Sequence, residues 1–327
     1  MSTTRTKAGT SYMTAINTTL REEMTRDERI IILGQSVEVG TFGLTPGLLG
    51  IFGPSRVRDM PICENTMMGM GVGASMCGLR PFVDLSIASF AYLAMDQIVN
   101  QAAKNRVLFG GQTSMPLVIN LLLSYRSNAA AQHTDRPHAM LMNVPGLKLV
   151  GPQTPADGAG LLKTALRSDD PVVFMTDTLA ASSRGEFVAD ADPIPLGKAA
   201  IAREGSDVTI VSVFTRRLAM QAADELAKEG ISAEVVDPRS LYPIDWETIL
   251  GSAAKTRRVV VSDIAHQPCS AASEISVRIF EELFSTLQAP VQRVCTPHVH
   301  IPYAPAIEQR FFPDAHKIAA AARKTLG

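Results

Sequence analysis

A single carboxylate, Glu64, stands in a run of small and apolar residues, Pro61-Ile-Cys-Glu-Asn-Thr-Met-Met-Gly-Met-Gly-Val-Gly73. Gly69, Gly71 and Gly73 recur at every second position. The pattern predicts a loop carrying the acid into a helix whose small residues let another backbone approach. An acid beside Ile62, Met67 and Met68 is suited to sharing a proton with a bound group. The same residue also reads as an ordinary N-cap or first-turn Glu facing a helix dipole. A second candidate is His133, in Gln132-His133-Thr134-Asp135 of the polar loop 124–137, with His138 just beyond. A histidine after a strand end can bind a carboxylate or move a proton, although most lone loop histidines are surface residues. His266, His298 and His300 read as structural or interface residues.

The elements that must position these groups alternate. Helical spacing over 11–26 places Met13, Ile16, Leu20 and Met24 on one face. Strands are predicted at 30–34, 82–87, 117–123, 147–150 and 171–175, and helices at 90–106 and 155–167. In the helix expected over 90–106, Met95, Ile98 and Ala102 should point inward. Residues 180–195 break the pattern with serines, acids and prolines and read as a linker. A second alternation follows, with strands at 208–214, 232–237, 259–262 and 291–295. Its helices are expected at 217–228, 246–254, 271–283 and 314–326. The expectation is an α/β chain with mostly parallel sheets: a domain over 1–180, a linker at 181–195 and a domain over 196–327.

Composition narrows the function classes. The 327 residues hold 46% apolar side chains, enough for a large core, and a net charge of -1 leaves no basic footprint for nucleic acid. Cys63, Cys77, Cys269 and Cys295 are far apart, which argues against zinc or a disulfide framework and fits a reducing cytoplasm. The polar stretch 1–10 has no apolar core of a signal peptide, and no membrane span is expected. No Gly-x-Gly-x-x-Gly opens a helix after a strand, and there is no Gly-x-x-x-x-Gly-Lys-Ser/Thr, so a nucleotide-binding module finds little support.

Several motifs occur together in order: Arg56-Val-Arg-Asp-Met-Pro-Ile-Cys-Glu64, Gly78-Leu-Arg-Pro81, Met95-Asp-Gln-Ile-Val-Asn100 after Phe90, Val144-Pro-Gly-Leu-Lys148, Pro152-Gln-Thr-Pro-Ala-Asp157, Arg203-Glu-Gly-Ser-Asp-Val-Thr-Ile210 and Glu229-Gly-Ile-Ser-Ala-Glu-Val-Val-Asp237. From about residue 11 to the C-terminus, the chain resembles the β subunit of thiamine-diphosphate-dependent 2-oxoacid dehydrogenase E1 components, the pyruvate, branched-chain and acetoin enzymes. The resemblance implies a transketolase-like pyrimidine-binding domain followed by a transketolase C-terminal domain. It implies that Glu64 hydrogen-bonds the aminopyrimidine of thiamine diphosphate, with Ile62 beside it, that Phe90 stacks on that ring, and that His133 serves the substrate. It also implies an α subunit holding the diphosphate and Mg2+ in a Gly-Asp-Gly motif that is not found here, an α2β2 assembly, and an E2 acyltransferase core as a further partner. The family's β chain can also hold K+, and no residue pattern here places it.

The departures from the family pattern bear on substrate. Gln35 stands where the family has an acid, and Tyr125 and Arg126 replace flexible small residues. Tyr125, Arg126, His138 and Gln35 are therefore candidate substrate residues, with Arg126 able to pair with a substrate carboxylate. Two other outcomes stay open: a two-chain transketolase-like carboligase, and a non-catalytic scaffold subunit.

Overall fold

The computed structural model describes residues 9–327. Most of the 1–10 stretch considered above lies outside the described residues. Two compact units form. The first comprises the residues up to Ser124 together with Met140–Leu196, and the second comprises Tyr125–Ala139 and Gly197–Gly327. No described helix is long and apolar enough to cross a membrane.

In the first unit the strands lie in the order Lys148–Val150, Val172–Asp177, Val118–Leu123, Arg80–Ile87, Ile30–Gly34, Val57–Asp59, all parallel. They read as continuous apolar runs because helices cover both faces. The helix Tyr12–Arg26 begins where Ser11 accepts a hydrogen bond from the Thr14 N–H at 3.1 Å. Its inward stripe is Tyr12, Ile16, Leu20 and Met24, so Tyr12 takes the first-turn place expected of Met13, which packs at the edge of the core. The short strand Val57–Asp59 was not expected, and three residues give too little alternation to read. The strand order reverses between Ile30–Gly34 and Arg80–Ile87, which face each other from Ile30 opposite Arg80 to Gly34 opposite Asp84. In open parallel sheets the crevice outside the strands' carboxyl ends at such a reversal is where ligands bind.

The helix expected over 90–106 is not one regular helix. A 3-10 segment spans Ala88–Ala94, a π segment Asp96–Ala102 and an α-helical turn Asn105–Leu108. The buried positions Ala91, Ala94, Ile98, Ala102 and Ala103 follow this change, three apart at first and then four or five. Ile98 and Ala102 point inward as read, and Met95 is only half-buried.

The second unit orders its strands Gln292–Thr296, Val259–His266, Val208–Val213, Ala233–Asp237, Ala200–Arg203, parallel except for the last. Its order reverses about Val208–Val213, where Val213 faces Asp263. The division differs from the sequence reading in one segment, 125–139, which packs with the second unit. Tyr125 donates its hydroxyl to the Pro313 carbonyl at 2.8 Å, and the Asn128 N–H meets the Glu308 carboxylate at 3.1 Å. The stretch read as a linker is tied down too: Arg184–Gly185 pairs antiparallel with Thr10–Ser11, and Thr164 donates to the Ile194 carbonyl at 2.6 Å.

Candidate active site

Three strands of the first unit end side by side, and the candidate residues follow those ends. Gln35 follows Ile30–Gly34, Glu64 lies five positions past Asp59, and Phe90 comes three positions after Ile87. Glu64 is the first residue of the helix Glu64–Met76, so the first-turn reading is correct in geometry. It does not settle the role of the side chain. Glu64 is 5% exposed, and no described residue hydrogen-bonds or ion-pairs with its carboxyl group. The residue is buried as a whole, yet its carboxyl oxygens are not among the fully enclosed polar atoms that lack a partner, so they stay open to a ligand.

The helix holds Glu64 in place by burying Met67, Met68, Val72 and Ser75. Of the three alternating glycines only Gly71 is close-packed, and against a side chain where the sequence predicted a backbone. A Cβ there would meet Val83 Cγ2 at 2.6 Å, while Gly69 has room and Gly73 faces open space. Cys63 caps the helix without a side-chain bond to its backbone ends. Its thiol is exposed, lies 3.0 Å from the Thr66 hydroxyl, and is held below the usual thiol range by that contact. Ile62 is 70% exposed, so in this chain it presents an apolar side chain outward next to Glu64. Phe90 and Gln35 are half-buried.

A buried polar row beneath these ends was missed in the sequence. Gly34, Asp84 and Asn120 are register neighbours across three strands. Asp84 accepts from Asn120 Nδ2 at 2.9 Å and from the Ser86 N–H at 2.9 Å. Burial pushes its carboxyl above the ordinary value, against the pull of those two donors. A side chain at Gly34 would collide with Asp84, its Cβ coming within 2.9 Å. The readable signal was one acid and one amide inside otherwise apolar strand runs.

His133 ends a short 3-10 turn, Ala131–His133, in the segment that packs with the second unit, and it is half-buried. The following Thr134 donates to the Ala130 carbonyl at 2.7 Å and closes that turn. The substrate expectation for Tyr125 does not fit its surroundings. Its ring is 7% exposed, packs 5.0 Å from Phe312, and its hydroxyl is committed to Pro313. Arg126 donates to the Gln309 carbonyl at 3.1 Å and lies 3.6 Å from Asp314, so its charge has a partner in its own unit. His138 is fully buried, with Nε2 3.0 Å from Asp263, so direct contact with a substrate is closed to it. His266 bonds the Pro297 carbonyl at 2.7 Å and meets His298 edge-on at 6.0 Å, while His298 and His300 are exposed. Burial pushes His266 below the ordinary histidine value, and the charges of Arg136 and His298 add to that. Among the described residues no group of three or more His, Cys, Asp or Glu could hold a metal ion.

Known proteins resemble the chain over nearly its whole length. Residues 8–182 match the transketolase pyrimidine-binding domain family, and residues 197–318 match the transketolase C-terminal domain family. The chain is 41% identical to the acetoin:2,6-dichlorophenolindophenol oxidoreductase subunit beta of Cupriavidus necator, over 97% of each. It is 40% identical to the 2-oxoisovalerate dehydrogenase subunit beta of Bacillus subtilis, over 96% of this chain and 98% of that one. Among solved structures it is similar to a split-gene transketolase, an inactive beta4 tetramer, with a TM-score of 0.79, 25% identity, and coverage of 97% and 99%. The chain therefore belongs to the transketolase-like family of dehydrogenase E1 β subunits, with a pyrimidine-binding domain followed by a transketolase C-terminal domain.

Proposed function

We propose that this chain is the β half of a two-chain, thiamine-diphosphate-dependent enzyme that cleaves a 2-oxoacid, or a related hydroxyketone such as acetoin, and passes on the acyl group. The observation that carries the reading is Glu64, a residue 5% exposed at a helix start, whose carboxyl has no partner among the described residues. Such a group fits a ligand that brings a ring nitrogen to it. When bound, thiamine diphosphate supplies the carbon that accepts the acyl group and the electron sink for the bond that breaks.

Glu64 holds a proton shared with the pyrimidine nitrogen, and no group among the described residues competes for that carboxyl. Phe90, half-buried beyond the strand end, offers a ring face for stacking, worth about 0.5–1.5 kcal/mol beyond area burial. His133 takes or returns a proton at the substrate, or binds its carboxylate. A separate α subunit completes the site with the diphosphate and Mg2+, in an α2β2 assembly. The exposed apolar side chains Ile62, Tyr92 and Leu93, close in sequence to Glu64 and Phe90, support a covering partner. A lipoyl-bearing E2 core is the acceptor in this reading.

The test is to purify the chain with its α-type partner, add thiamine diphosphate and Mg2+, and follow CO2 release from a panel of 2-oxoacids and acetaldehyde release from acetoin. Turnover that needs both chains and is lost in Glu64→Gln is the expected result. Cofactor binding with no release from any of these substrates would favour a carboligase, and absence of binding would favour a scaffold.

A further inference from the structure

The reversal of strand order in the second unit is filled by the chain itself. Val213 pairs with Asp263, and Phe214 follows directly. His138 is inserted there, its ring 5.0 Å from that of Phe214 and its Nε2 3.0 Å from Asp263 Oδ1. Both members of the pair are 0% and Phe214 is 2% exposed. Asp263 also accepts from the Ala265 N–H at 2.8 Å and from the Ala272 N–H, in the first turn of the helix Ala271–Leu283, at 3.3 Å. The carboxylate is thus fixed to strand and helix at once, and His138 is fixed to the carboxylate. His138 Nδ1 has no hydrogen-bond partner among the described residues, so the Asp263 bond is the ring's one polar anchor there.

At the other end of the same segment, Glu308, itself 1% exposed, takes the Asn128 N–H on both oxygens at 3.1 and 3.3 Å. Between these anchors the Arg136 guanidinium lies 4.4 Å from the ring centre of Phe312. His133 is five positions from Asn128 and five from His138. It lies midway between two points at which buried carboxylates of the second unit hold the segment.

We propose that His138 and Asp263 are positioning residues for His133: the buried clamp fixes the segment 128–138 so that the His133 imidazole is held in its working orientation. This rests on the role given above to His133, and the test separates the two. The chain would be prepared with its α partner and cofactor as wild type, His138→Phe, His138→Gln, His133→Ala and the double variant His133→Ala/His138→Phe. His138→Phe keeps a ring against Phe214 but removes the donor to Asp263, while His138→Gln keeps a donor within reach.

The expected result is a loss of about tenfold or more in kcat/KM for His138→Phe, of the size seen for positioning groups near general acid–base catalysts. Cofactor affinity should stay within about twofold, His138→Gln should recover most of the loss, and the double variant should be no worse than His133→Ala. Losses that multiply in the double variant would overturn the proposal. The second readout needs no turnover: the ring resonances of 13C-labelled histidine, with His133 assigned from His133→Ala. They should move for His133 in His138→Phe and return in His138→Gln, and an unmoved His133 signal would overturn the proposal. Should His138→Phe fail to fold, Asp263→Asn and Glu308→Gln replace it in the same comparisons. A wild type that turns over nothing while the His133 resonance still responds would sink the proposed function and leave the clamp standing.

Discussion

Each unit has a reversal of strand order and a buried carboxyl group near it, and the two groups are treated in opposite ways. Glu64 is 5% exposed and receives no hydrogen bond from the described chain. Asp263 is 0% exposed and receives the Ala265 and Ala272 N–H groups and the His138 imidazole. An acid without an internal partner stays available to a ligand, whereas a satisfied one stabilises and is unavailable. The difference teaches where to look for binding in a chain built of two similar α/β units. Topology nominates both crevices, and hydrogen-bond satisfaction selects the first.

The largest expected effect comes from removing the unpaired acid. Glu64→Gln should lower kcat about 10²–10⁴-fold, the range of general acid–base contributions. It should leave the urea midpoint of the chain unchanged or slightly higher, because no internal bond is lost. A midpoint falling by more than about 1 kcal/mol in stability would mean that Glu64 is a structural cap, and the contrast with Asp263 would fail.

Removing the satisfied acid should do the reverse. Asp263→Ala leaves one imidazole donor and two N–H groups buried without their acceptor, each costing about 1–3 kcal/mol where water cannot reach. The chain should lose about 2–5 kcal/mol by urea denaturation, with the second unit melting first. Retained stability would show that water satisfies these donors and that the clamp is loose.

Asp84 sharpens the comparison through pH. Burial raises its folded value above the 3.8 of a free carboxyl, and the Asn120 and Ser86 donors only partly offset that. The folded chain then binds the proton more tightly than the unfolded one. Stability from this group is fully present below the unfolded value and is lost as pH rises from there through the raised folded value. Asp84→Asn keeps an acceptor for both donors and cannot ionise. Its stability advantage over wild type should therefore grow as pH rises from about 4 towards neutral in a urea series. A difference that stays constant with pH would show that Asp84 titrates like an exposed carboxyl.

Much of this organisation was legible in order along the chain. Apolar runs and helical spacing located most strands and helices, and Glu64 drew notice because an acid among Ile62, Met67 and Met68 is chemically odd. What escaped depends on contacts between residues far apart. Tyr125 meets Pro313 across 188 positions, Asn128 meets Glu308 across 180, and His138 meets Asp263 across 125. Nothing local in the loop states that it packs with the second unit, and hence that Tyr125 and His138 are buried. The irregular helix from Ala88 to Leu108 escaped for another reason, since its small and mixed side chains satisfy 3-10, α and π spacing about equally well.

The smallest expected effect concerns Arg126, for which the sequence suggested a substrate carboxylate as partner. In the structure its side chain is 34% exposed, its guanidinium donates to the Gln309 carbonyl at 3.1 Å, lies 3.6 Å from Asp314, and stacks 5.2 Å from the Tyr125 ring centre. Partly exposed pairs of this kind contribute about 0–1 kcal/mol. Arg126→Ala should therefore cost less than about 1 kcal/mol of stability, and the ranking of 2-oxoacids by kcat/KM should be unchanged. A selective rise in KM for one substrate would show that the guanidinium leaves Gln309 and Asp314 to bind it. It would also make this segment a specificity element in addition to a carrier of His133. With the ranking unchanged, Arg126 joins Tyr125 as an anchor, and the segment's chemistry rests on His133 alone.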